Sequence, residues 1–287
     1  MGIVLRRSPR QLAAEPFYGE LIGGMEETFE PRGLHVLMQV VDGMPRELES
    51  YRHWARTGVV RGVVLVDLVT RDPRPALLAE LGLPGIILGE PDDPSLLPAL
   101  RTDGYGPIRD AVSRLAELGH RRIARVAGPA TLKHTLERTR GFIDATTELS
   151  MEALLEEGDY SAETGAAATA RLLRAADPPT AIVYDNDSMA IAGLSVAREF
   201  GVEVPHRLSI LAWDDSQHCR LARPAVSAMS YDVHQRGQLA ARTLLDVLDG
   251  AAPRDVWSEP PVLVERGSTA PYEKSDAGVH LLEQVAE

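Results

Sequence analysis

The chain has 287 residues, 44% hydrophobic and 25% charged, enough to bury a substantial core in one large or two intermediate domains. Its 30 Lys and Arg against 42 Asp and Glu give a formal net charge of −12, so the phosphate neutralisation that drives nucleic-acid binding has no net electrostatic source here. The single cysteine, Cys219, excludes an internal disulfide framework and a cysteine-paired zinc site. No apolar run approaches the ~20 residues that span a bilayer, and no membrane partner is expected. The start, Met1 to Arg7, places its charges after a short apolar stretch, the reverse of a secretory signal, so the cytoplasm is the expected compartment.

Short runs rich in Val, Ile and Leu alternate along the chain with helix-length amphipathic segments. Strands are predicted at 3–5, 34–41, 62–66, 85–88, 122–127, 181–184 and 208–212. Asp103 is placed to cap a helix running to Leu118, with Gly119 beyond it. Asp187 is placed to cap another running to Phe200 before Gly201, and Asp232 with Gln235 makes a capping-box pattern before a helix ending near Gly250. This β-α-β rhythm predicts an α/β protein with parallel strands, in one sheet or two, flanked by helices. Residues 90–98 are rich in turn formers and precede a fresh helix start, so the first crossing between domains is expected just after them. The tail, 272–287, is expected to be mobile or weakly docked.

Two stretches carry the chemistry. PTAIVYDNDSMA at 179–190 and LSILAWDD at 208–215 each read as an apolar strand stopping abruptly at polar and acidic residues. An open parallel sheet presents ligand-facing side chains in this way at its strand ends. Both stretches resemble the effector-binding core of the lactose/galactose repressor (LacI/GalR) family of bacterial transcription regulators. The resemblance extends to 103–129 (TDG...AVSRLAELGHRRIARVAGP), 138–142 (RTRGF), 157–165 (EGDYSAETG), 237–250 and 263–271 (LVERGSTAP), in family order and at close to family spacing. The first 100 residues match more loosely, chiefly through Pro16-Phe17-Tyr18, Gly33-Leu34, Gly62-Val63-Val64 and Leu83-Pro84-Gly85.

The resemblance implies two Rossmann-like subdomains of the type I periplasmic-binding-protein kind, joined by three crossings, with a small-molecule effector in the cleft between them. Their expected extents are 1–102 plus about 232–258, and 103–231 plus about 259–271. It also implies a homodimer, and contact with operator DNA through an N-terminal helix-turn-helix that nothing before Ile3 could form. No cofactor, metal site or catalytic residue is implied. The implied effector contacts are Arg138, three residues before Gly141-Phe142; Asn186 and Asp214 at strand ends; and Tyr160, where relatives place an aromatic. A guanidinium fork suits vicinal hydroxyls, a carboxylate or a phosphate, and Asn and Asp supply donors and acceptors for hydroxyls. Trp213, Phe17 and Tyr18 offer apolar faces for a sugar ring, and Asp67, Glu90 and Tyr231 complete the candidate set.

Several of these residues have a plainer role open to them. Arg138 has pairing with Glu137 or another surface carboxylate open to it, although the effector role is favoured, Asp187 is better placed as a helix cap than as a ligand contact, and Asn186 is divided between the two uses. Of Asp214 and Asp215 only one is expected to face the cleft, and Asp214 is favoured. Tyr231 is either pocket wall or core filler, and one of Phe17 and Tyr18 faces the core. His120 is read as a structural hydrogen-bonding residue. Val66 and Gly89 stand where relatives have polar side chains, which makes the N-terminal wall less polar. The Arg-rich segment 6–15 lends it positive character, so a phosphorylated or acidic effector stays open beside a sugar. The function expected is the sensing core of a transcription regulator, and the alternative is an exported solute-binding protein of the same fold. An enzyme is disfavoured: no G-x-G-x-x-G follows a strand, and no phosphate-binding loop, G-x-S-x-G or H-E-x-x-H is present.

Overall fold

The computed structural model describes residues 1–91 and 96–272, and contains twelve strands and ten α-helices among them. In chain order these are β1 (Gly2–Leu5), α1 (Pro9–Ala14), α2 (Pro16–Phe29), β2 (Leu37–Val40), α3 (Met44–Thr57), β3 (Val63–Leu65), α4 (Arg74–Glu80), β4 (Gly85–Leu88) and β5 (Ala99–Arg101). There follow α5 (Tyr105–Glu117), β6 (Arg122–Ala127), α6 (Lys133–Glu148), β7 (Glu152–Glu157), α7 (Ala162–Leu173), β8 (Ala181–Tyr184), α8 (Asp187–Glu199), β9 (Ser209–Trp213) and α9 (Gln217–Leu221). The last elements are β10 (Ser227–Ser230), α10 (Val233–Leu248), β11 (Val256–Trp257) and β12 (Val262–Val264).

Two six-stranded sheets result, ordered β11-β5-β4-β3-β1-β2 and β12-β10-β9-β8-β6-β7. Apart from the antiparallel β10–β12 pair all neighbours are parallel, so one end of each sheet collects the C-terminal ends of its strands. The central strands β1, β3, β4, β8 and β9 are fully buried, as strands covered on both faces must be. The chain passes between the sheets three times: after β5, after β10 and between β11 and β12.

After the second passage α10 returns to the first sheet and packs on α2. Gly24 and Gly237 allow this, since a Cβ at either would collide with a backbone carbonyl, of His234 or of Leu21. Each sheet has its own apolar core on both faces, with Ile3, Leu21, Val64 and Leu244 on one face of the first and Val4, Trp54, Val63 and Ile87 on the other, and with Val126, Ile182 and Ile210 on one face of the second and Phe142 and Val183 on the other.

The predicted strands are all present, with 3–5 extended to Gly2–Leu5, 34–41 shortened to Leu37–Val40, 62–66 shortened to Val63–Leu65 and 208–212 displaced by one residue to Ser209–Trp213. Asp103 accepts the Tyr105 and Gly106 N–H groups at 2.8 and 2.9 Å, and Asp232 accepts that of Gln235 at 2.8 Å, so both serve helix starts. Asp187 does not: the cap of α8 is Asn186, in extended conformation, with its side-chain oxygen taking the Met189 N–H at 2.9 Å. Tyr272, first residue of the expected loose tail, is docked. Its N–H donates to the Leu118 carbonyl at 2.7 Å and its ring stacks on His120 at 5.6 Å. The remainder of the tail lies outside the described residues, as do 92–95 within the turn-rich segment.

Candidate functional site

One wall of the space between the sheets grows from the strand ends of the first sheet. Beyond β3 stands Asp67, held at φ +52. Its carboxylate oxygen Oδ2 lies 2.8 Å from Arg7 Nη1 and accepts the Tyr18 hydroxyl at 3.0 Å. Its carbonyl accepts Arg6 Nη2 at 2.7 Å and Arg74 Nη2 at 3.0 Å. Burial opposes charge on Asp67, but Arg7 together with His134, the Tyr18 hydroxyl and Arg6 more than offsets this and holds the carboxyl below its ordinary value. Arg7 is likewise held firmly protonated against its own burial, first by Asp67. Glu15 sits 3.3 Å from Arg7 Nε, yet its pKa is pushed up to about 7, because burial together with Asp67 and Asp214 outweighs the single cation. Behind this wall Arg74 is buried between Glu47 at 2.7 Å and Asp72 at 2.6 Å.

The opposite wall comes from α6 and the ends of β8, β9 and β10. Arg138 lies over the Trp213 indole, its guanidinium carbon 4.0 Å from the ring centroid. It donates to the Asp185 carbonyl at 3.3 Å, and its Nε is buried with no partner among the described residues. It does not pair with Glu137. Tyr160, at φ +70, shares its hydroxyl with His134 Nε2 at 2.7 Å and Thr135 at 3.1 Å. His134 is kept neutral, its pKa pushed down to about 4 by burial and by Arg138. Asp214, at φ +64, accepts the Tyr231 hydroxyl at 2.7 Å. Burial and the neighbouring Asp187 push its pKa up to about 6. Asp215 turns away, onto Arg266 at 2.8 Å and Ser230 at 3.1 Å.

Five non-glycine residues have positive φ among those described, and three of them, Asp67, Tyr160 and Asp214, face this one cavity. Such conformations cost energy and persist where surrounding contacts over-determine them, typically at binding sites. The walls also touch directly. Gln11 donates to Asp159 at 3.1 Å, the Lys133 N–H donates to the Leu68 carbonyl at 2.9 Å, and Arg7 sits 5.5 Å from the Tyr160 ring centroid.

All ten candidates from the sequence, Phe17, Tyr18, Asp67, Glu90, Arg138, Tyr160, Asn186, Trp213, Asp214 and Tyr231, line this cavity. They are not equally free. Asn186 is occupied at both ends, capping α8 and donating to the Tyr160 carbonyl at 2.9 Å. Tyr18 is buried in the first core with its hydroxyl on Asp67, while the half-buried Phe17 packs edge-on against it. Glu90 forms an ion pair with Arg101. Val66 and Gly89 line the cavity as the less polar part of its wall, and of the Arg-rich segment Arg7 reaches it.

Sequence reasoning passed over Glu15, His134, Glu137, Asp185 and Arg236 in the wall. Asp185 had a usable signal in Arg125, a charged residue inside the apolar strand IARVA, which predicts a buried partner. His120 makes the structural contacts expected of it, to Thr180 at 2.9 Å and Ser209 at 3.0 Å. Cys219 is buried.

Two mostly parallel sheets with pseudo-equivalent strand orders, three crossings and a polar cavity at facing strand ends define a type I periplasmic-binding-protein-like fold. Residues 112–269 match the model of the periplasmic binding protein-like domain. Over 258 residues, 87% of this chain and 75% of the relative, the sequence is 32% identical to the HTH-type transcriptional regulator CelR of Thermobifida fusca. It is 30% identical over 241 residues, 82% and 70% of the two chains, to the HTH-type transcriptional repressor CytR of Escherichia coli. A LacI family transcriptional regulator from Bifidobacterium animalis has the same fold with a TM-score of 0.86 and 37% identity, over 95% of this chain and 98% of that one. A CelR–cellobiose complex gives 0.83 and 29%, over 93% and 83%. The chain belongs to the LacI/GalR family of transcriptional regulators and carries its effector-binding core.

Proposed function

We propose that the cleft binds a neutral, polyhydroxylated effector, a sugar or sugar derivative, and that its occupancy sets the angle between the lobes. The observation that carries this is the charge of the cavity wall. Carboxyl groups at Glu15, Asp67, Glu90, Asp103, Glu137, Asp185 and Asp214, of which Glu15 is only partly ionised near neutral pH, face guanidiniums at Arg7, Arg138 and Arg236. Asp67 takes up Arg7, Glu90 takes up Arg101, and Asp185 takes up the buried Arg125 behind the wall. The surplus of acceptors suits hydroxyl donors, and Arg138 and Arg236 supply charge-assisted donors to sugar oxygens. A phosphate would meet net negative charge. Trp213 does not serve as a bare stacking face, since Arg138 already covers it.

The lobes, taken as 1–102 with about 232–258 and 103–231 with about 259–271, would transmit the effector-dependent angle in a homodimer to paired DNA-binding heads, as the regulator class implies. This is a binding role in the cytoplasm without catalysis, which the regulator relatives support. A thermal-shift panel of neutral saccharides, sugar phosphates, nucleosides and small organic acids tests it. Stabilisation by at least one neutral saccharide, and not by its phosphate, is expected. Stabilisation confined to phosphates or acids would overturn the effector class.

A further inference from the structure

Trp257 ends β11, on the outer edge of the first sheet, directly before the third crossing. Its side chain is 63% exposed, whereas the other two tryptophans, Trp54 and Trp213, are almost wholly buried. Leaving a large indole in water forfeits the burial such a ring ordinarily gains. The ring is positioned by Arg101, its pairing partner in β5, whose guanidinium carbon stands 5.9 Å from the indole centroid.

Trp257 forms one side of a pit whose other sides are Glu90, Asp103, Tyr105, Glu137 and Arg140. Glu90, Asp103 and Glu137 also line the cleft cavity, so the pit continues the cleft outward along the crossing segments. Two of the pit's polar groups are available, while Glu90 pairs with Arg101 and Asp103 accepts the N–H groups at the start of α5. Glu137 makes no hydrogen bond or ion pair among the described residues, and Arg140 is 77% exposed and only loosely paired with Asp144 at 3.7 Å. Tyr105 is fixed, its hydroxyl donating to Asp144 at 2.8 Å.

A flat exposed indole, a half-buried carboxyl group with no hydrogen-bond partner among the described residues and an exposed guanidinium around one concavity match the chemistry of a pyranose. The ring's C–H face stacks on the indole and its hydroxyls meet the charged groups at the rim. From this we infer that the pit is an outer carbohydrate subsite and that the effector is an oligosaccharide, with one unit in the cleft and the next on Trp257. The inference rests on the carbohydrate reading of the cleft.

The test is calorimetric titration of the wild-type chain, Trp257→Ala and Trp257→Phe with mono-, di- and trisaccharides of gluco, galacto, manno and xylo configuration. For the recognised sugar, the disaccharide should bind about five- to tenfold more tightly than the monosaccharide, the increment of one aromatic contact. Trp257→Ala should erase that increment without changing monosaccharide affinity, and Trp257→Phe should keep part of it. Disaccharide, but not monosaccharide, should blue-shift tryptophan emission and protect it from acrylamide. If length brings no gain, or the gain survives Trp257→Ala, the subsite is wrong while the cleft reading stands. If Trp257→Ala instead dissociates an oligomer and leaves binding untouched, the indole is an interface residue and the inference is overturned. If no saccharide of any length binds, the carbohydrate reading itself falls, and the subsite with it.

Discussion

Arg125 and Asp185 form a two-pronged ion pair shut away from solvent, Nε to Oδ1 at 2.8 Å and Nη2 to Oδ2 at 2.6 Å. Asp185 accepts the Gly128 N–H with the same Oδ2, and its backbone carbonyl receives Arg138. The pair thus lies directly behind the guanidinium proposed to grip the effector. Removing Arg125 leaves the buried Asp185 with only the more distant Arg138, 3.9 Å away, so Arg125→Ala should cost about 3 kcal/mol. Combining Arg125→Met with Asp185→Leu should recover most of that loss in chemical denaturation. A double variant as unstable as Arg125→Ala alone would show that the pair itself, and not the orphaned charge, governs stability.

Asn186→Ala removes both the cap of α8 and the bond to the Tyr160 carbonyl. A lost cap alone is worth about 1 kcal/mol, roughly 2–4 °C in melting temperature for a chain of this size. The same substitution at Asp187, which caps nothing, should not reproduce this effect. Equal melting temperatures for Asn186→Ala and wild type would reject the capping role.

Asp214 has a folded-state pKa of about 6 against an ordinary value of 3.8. Between these values the folded protein holds a proton that the unfolded chain has released. The stability this contributes is complete below about pH 4 and is lost as pH rises through about 6. Asp214→Asn cannot titrate, and Asn tolerates the positive φ. Its stability relative to wild type should therefore improve by about 2 kcal/mol between pH 4 and pH 7. The buried histidines are present in both proteins and cancel. A difference in melting temperature that stays constant with pH would contradict the assignment.

The outer strand β2 exposes Leu37 and Met38 at 42% and 41% on the free edge of the first sheet. An apolar edge of this kind invites pairing with a second chain. Sedimentation velocity should find a dimer that Leu37→Lys combined with Met38→Lys weakens. A monomeric wild type, or a dimer indifferent to both changes, would exclude this edge as the interface.

The sequence was most legible where physics left one choice. Buried parallel strands must be short, apolar and β-branched, and 85–88, 122–127 and 181–184 match the observed strands residue for residue. The strands it did not predict are those at edges or crossings. Of these β7 carries Glu152, Glu156 and Glu157, β10 is Ser-Ala-Met-Ser, and β11 has two residues. Their pairing comes from neighbours remote in sequence. The site was legible at strand ends, where Asp67, Asn186 and Asp214 fall. It was illegible where residues meet through the tertiary fold, as Arg7 meets Asp67. The cap of α8 slipped by one because Asp185-Asn186-Asp187 contains three capping residue types in a row, and only the backbone geometry selects among them.

The central claim is that one effector is held from both lobes at once. It is tested most directly by titrating the best saccharide from the thermal-shift panel into wild type, Phe17→Ala and Arg138→Ala by calorimetry. Phe17 belongs to the first lobe and Arg138 to the second. The account predicts that Arg138→Ala loses about 1.5–3 kcal/mol of binding, the worth of a charged hydrogen bond, and that Phe17→Ala also weakens binding measurably. Unchanged affinity in either variant would contradict it, because an effector gripped by one lobe alone has no means of setting the angle between the two.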